Sequence, residues 1–133
     1  SARSVIVLSE GLLMYLDPQV VNDLADDLRK MGNIHYWIQD YYSGQMRDGR
    51  MRPWRERMKA APFKFQPADW LHFFTSRHWQ VAERILLADE ARRLGRRPPF
   101  PWWRMLMFML TLPSIRKRMQ ERAGYGMFKP EVL

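Results

Sequence analysis

Val5-Ile6-Val7-Leu8-Ser9-Glu10-Gly11-Leu12-Leu13-Met14-Tyr15-Leu16-Asp17-Pro18 decides the fold class of this 133-residue chain. Four apolar residues run straight into a carboxylate and a glycine, an apolar turn carries a tyrosine, and Asp-Pro opens a helix. An apolar run bounded by polar and turn residues is the pattern of a strand buried on both faces of a parallel sheet. Ligands of open α/β sheets sit outside the carboxyl ends of such strands. Glu10, and Tyr15 behind it, are therefore the first candidate site residues.

Outward from that stretch, Asp17 is a good N-cap and Pro18 a good first helical residue. Val20, Val21, Leu24, Leu28 and Met31 then share one helical face, with Asn22, Asp23, Asp26, Asp27 and Arg29 opposite. Gly32 ends the helix in a left-handed cap. Ile34 to Tyr41 is rich in aromatic and β-branched residues and predicts a second strand, with Asp40 at its far end. A strand–helix–strand unit of this length predicts a crossover between parallel strands. From Ser43 to Pro62, Gly44, Gly49, Pro53 and Pro62 punctuate a basic stretch containing Trp54, which reads as a loop or short helix over a site. Pro67 is expected to start a short apolar helix through Trp70, Leu71, Phe73 and Phe74. Trp79 to Leu87 predicts a strand followed by a helical turn through Arg93. Trp102 to Leu112 predicts a helix with almost no polar face, Pro113 a kink or a new helix through Arg122, and Tyr125 to Lys129 a last strand. The whole reads as one α/β domain, residues 1–133, with an insertion over 43–79 and a helical segment over 98–122.

Composition narrows the function classes. Apolar residues make up 47% of the chain, which argues against disorder. Without cysteine there is no disulfide, thiolate metal site or thiol nucleophile. His35, His72 and His78 have no i,i+4 partner and no carboxylate cluster, so no metal site is expected. The opening apolar run is too short for a signal peptide, and Phe100 to Pro113 is too short to span a bilayer and contains Arg104. A cytoplasmic protein is the expectation. The net charge is +8, but residues 1–40 carry −3, leaving +11 for the remainder. That asymmetry suits a solvated arginine-rich face or an anionic membrane surface under Trp102–Arg122. Aromatics around Arg47–Lys59 are too sparse for nucleic-acid stacking.

The opening motif resembles the segment after the fourth strand of S-adenosylmethionine-dependent methyltransferases of the leucine carboxyl methyltransferase type. Asp40-Tyr41, Phe63-Lys64-Phe65, the aromatic cluster ending in Trp79, Leu87 to Arg96 and Gly124-Tyr125-Gly126 resemble later pieces of that family in order. Where the family has Gly-Trp in the late strand, this chain has His78-Trp79. The resemblance implies the C-terminal half of a doubly wound, Rossmann-like sheet of about four strands, mostly parallel with an antiparallel last strand. It implies Glu10 and Tyr15 at the cofactor, and Asp40, Tyr41, Trp54 and Trp70 toward a small-molecule or peptide methyl acceptor. The family's glycine-rich cofactor loop lies on earlier strands, and no such loop follows a strand in this sequence. The chain alone is thus expected to be inactive, joining a complementing N-terminal half, or a second copy, through its first strand. A non-enzymatic oligomeric half-fold is the competing expectation.

Overall fold

The computed structural model describes residues 3–42, 60–96, 102–114, 117, 121 and 123–131. They form strand β1 (Val5–Ser9), a 3-10 turn (Leu13–Tyr15), helix α1 (Pro18–Lys30), strand β2 (Ile34–Tyr42), helix α2 (Trp70–Thr75), strand β3 (Trp79–Leu86), helices α3 (Leu87–Arg93) and α4 (Trp102–Met109), and strand β4 (Ala123–Pro130). The strands make one four-stranded mixed sheet in the order β1-β2-β4-β3. β1 and β2 are parallel, and β4 runs antiparallel to both of its neighbours, β2 and β3.

The strand–helix–strand unit is present where the sequence placed it. Asp17 is the N-cap of α1 and Pro18 its first residue, although the Asp17 side chain makes no capping bond. Its carboxylate instead accepts a hydrogen bond from Lys64 Nζ at 2.9 Å. Gly32 has φ +68°, the left-handed turn that releases the chain into β2. Gly95, with φ +64°, does the same service just past α3.

One face of the sheet carries the core. Trp37, Trp79, Phe65, Phe74, Phe128, Leu13 and Val21 are essentially inaccessible there. Trp37 lies 5.3 Å, centroid to centroid, from both Phe74 and Trp79, and Phe74 lies 5.1 Å from Phe128. Such edge-on and tilted pairs each add about 0.5–1.5 kcal/mol beyond burial. Gly124 and Gly126 lie on this face of β4, because a Cβ at Gly124 would meet the Ile85 carbonyl oxygen and one at Gly126 would lie 2.6 Å from the buried Phe128 ring.

Five expectations need correction. β1 is not buried on both faces: Val5 and Val7 pack on the core, but Ile6 and Leu8 are 62% and 63% exposed. The physical reason is position, since β1 pairs only with β2 among the described residues and α1 covers one face alone. The buried face of α1 centres on Val21 and Ala25, leaving Val20 and Met31 exposed. The small Ala25 lets the helix backbone come close enough for its carbonyl to accept the Trp79 indole N–H at 3.3 Å. α2 starts at Trp70 rather than Pro67, because the Asp69 carboxylate caps the His72 amide at 2.9 Å. α4 ends at Met109 rather than Leu112, and Trp103, Leu106, Met107 and Met109 on it are exposed. β4 also begins two residues before Tyr125; residues 43–59 of the loop expected over Ser43 to Pro62, and most of the helix after Pro113, lie outside the described residues.

Candidate functional site

The site is built where β1, β2 and β4 meet. Ser9, the last residue of β1, turns its hydroxyl to the core and accepts the Trp37 indole N–H at 2.9 Å. Strand alternation therefore sends Glu10 to the opposite face, where it is exposed. Gly11 has φ +61°, which turns its amide N–H back toward β2. That N–H is shared by both carboxylate oxygens of Asp40, each at 3.1 Å. Asp40 sits opposite Tyr125 in the β2–β4 register, and the Tyr125 hydroxyl donates to Glu10 Oε1 at 2.8 Å. Glu10, Asp40 and Tyr125 thus converge from three strands.

Electrostatics follow from this packing. Burial pushes the Asp40 carboxyl above its ordinary value, the Gly11 and Asp40 amides partly offset that, and the nearby Glu10 charge pushes it further up. Tyr125 is raised to about 12, chiefly because its O–H bonds the Glu10 carboxylate and ionisation would set two anions together. Tyr42 is raised by burial first and then by Asp40, Tyr15 and Glu10. None of the ion pairs formed among the described residues involves Glu10 or Asp40. Two carboxylates and several phenol oxygens without a described counter-cation make an acceptor-rich surface suited to a cationic ligand group. Among the described residues no cluster of three or more His, Cys, Asp or Glu could hold a metal ion.

The predicted site residues divide. Glu10 and Asp40 come together. Tyr15 is half-buried, its ring 5.3 Å from Phe63, and stands close enough to Tyr42 to help raise that phenol. Its turn is fixed by the Met14 carbonyl, which accepts the Lys64 and Phe65 amides at 2.8 and 3.1 Å. Tyr41 and Trp70 lie on the other face of β2, in the core. The Tyr41 hydroxyl accepts from Arg84 Nε at 2.6 Å, and Trp70 Nε1 donates to Gln39 Oε1 at 2.9 Å. The pleat separates Tyr41 from Asp40, one residue away, because successive side chains point to opposite faces. Trp54 lies outside the described residues. Tyr42 and Tyr125 are the additions that sequence reasoning missed. The signal for Tyr125 was faint: a tyrosine between two glycines at the start of the predicted last strand.

No family model matches the chain, and no curated protein matches it.

Proposed function

We propose that this chain is the C-terminal half of a class I S-adenosylmethionine-dependent methyltransferase of the leucine carboxyl methyltransferase type. The observation that carries the reading is the strand order β1-β2-β4-β3, with the last strand alone reversed and inserted between β2 and β3. That is the order expected for the second half of a doubly wound methyltransferase sheet. Glu10 and Asp40 stand at the carboxyl ends of its first two strands, where such sheets bind ligands.

The cofactor would supply an electrophilic methyl group on a sulfonium. Glu10, oriented by Tyr125, fits the ammonium end of its methionine moiety, since a carboxylate can accept charge-assisted hydrogen bonds there. Asp40 adds negative potential and Tyr15 an aromatic wall. The acceptor is an oxygen of a small molecule or peptide; a carboxylate is favoured because it is already ionised and needs no general base. This sequence holds no glycine-rich loop for close backbone approach to the nucleoside, so that part of the site comes from outside residues 1–133. The exposed β1 edge is the surface through which a complementing half, or a second copy, would extend the sheet.

The test joins the gene to calorimetry. The reading frame ahead of Ser1 is expected to encode a glycine-rich strand–loop–helix, and the polypeptide that includes it to bind S-adenosylmethionine. Glu10→Gln in that polypeptide weakens binding by about tenfold or more, the worth of a charged hydrogen bond. An upstream region without that element, or no heat of binding at millimolar cofactor, overturns the reading.

A further inference from the structure

Helix α4 presents a surface that the methyl-transfer reading leaves unused. Trp103, Leu106, Met107 and Leu110 follow one another at i, i+3, i+4 and i+7, which is one face of a helix. The Leu110 amide bonds the Leu106 carbonyl at 3.0 Å, so the helical turn carries on far enough to keep Leu110 on that face. Leu106, Met107 and Leu110 are 50%, 63% and 75% exposed, and Met109 and Leu112 beside them are exposed as well. Contiguous apolar side chains held in water mark an interaction surface.

The charge around this face selects its occupant. Residues 91–120 contain eight Arg or Lys and no Asp or Glu. Arg92 and Arg93 pair with Asp89 and Glu90 within α3, while Arg96 and Lys117, one on each side of α4, are exposed and take part in none of the described ion pairs. A second copy would bring two such segments together, and like charges oppose that. An acid-free apolar helix with tryptophan at its start and basic residues on both sides fits the headgroup region of an anionic bilayer. No described helix is long and apolar enough to cross a membrane, so the helix would lie in the interface plane.

We propose that the Leu106–Met107–Leu110 face of α4 docks this protein on anionic lipid. This is independent of the methyl-transfer reading. The experiment is co-sedimentation of the whole chain with vesicles of phosphatidylcholine alone and of phosphatidylcholine rich in phosphatidylglycerol. Binding to the anionic vesicles is expected, weakened at least about tenfold on neutral vesicles and to a similar degree by the double change L106E/M107E. Because both residues are exposed, the double variant keeps the far-ultraviolet circular dichroism and melting temperature of the parent. Lys117→Gln weakens binding about fivefold, the worth of one cation near the surface. No binding to anionic vesicles overturns the proposal. So does undiminished binding by L106E/M107E, or a parent dimer, indifferent to lipid, that this variant turns into a monomer.

Discussion

His78 shows at the scale of one residue how local sequence and backbone can disagree. It takes φ +61° at the entry to β3, a region that costs an L-residue about 1–2 kcal/mol. Its ring lies 3.2 Å from Glu131, an exposed pair of little worth. Glycine removes the steric cost but adds about 0.5–1 kcal/mol of chain entropy to be lost on folding. His78→Gly is therefore expected to stabilise the protein by about 0.5–1 kcal/mol in urea unfolding, and a loss of stability would refute the strain. Asp40 offers a prediction in pH. Its folded carboxyl titrates above the ordinary value of 3.8, so the folded state holds the proton more tightly than the unfolded chain. The contribution of this group to stability is thus complete below 3.8 and is lost as pH rises through the raised value. Asp40→Asn keeps a carbonyl to accept the Gly11 amide and removes the titration. Its stability relative to the parent should rise between pH 3 and pH 7, measured by urea unfolding at both; a flat difference would contradict the burial argument.

Elements are decided by the balance between caps and packing. α2 is only six residues long, below what propensity can hold, so its start depends on the Asp69 cap and on Trp70 and Phe74 in the core. Asp69→Ala is expected to cost about 1 kcal/mol in unfolding free energy, with most of the helix retained through its two buried rings. Pro67 looked like the start from sequence because proline suits a first turn, yet the carboxylate able to reach a free amide lies two residues on. α1 was legible in its ends and period, since Asp17-Pro18 and Gly32 are strong punctuation. Which part of its stripe was buried was not legible, because that depended on Ala25 meeting the Trp79 indole from another strand. β4 was legible as a strand, and its glycines as oddities. Their reason, rings and a carbonyl filling the space above them, belongs to the packed sheet.

At the scale of the molecule, α1 and α2 pack one face of the sheet and leave Ile6 and Leu8 bare on the other, along the β1 edge. Leu8→Lys in this chain should change unfolding free energy by less than about 0.5 kcal/mol and reduce aggregation, because it adds charge to an open edge. In a polypeptide that also carries a complementing half, the same change should cost about 2 kcal/mol or more, since Leu8 would then be buried. Urea unfolding of both species checks it. By itself the sequence determined the α/β class, a parallel first crossover, a carboxylate behind the first strand and the absence of cysteine chemistry from these residues. Those follow from short-range signals: apolar runs, caps, glycines and spacing. Only the tertiary structure decided that β1 lies at an edge, that Tyr125 grips Glu10 while Gly11 binds Asp40, and that Tyr41 and Trp70 turn to the core. Each of those depends on which strand lies beside which and on the parity of the pleat, and residues 85 or 115 positions apart carry no local mark of their meeting.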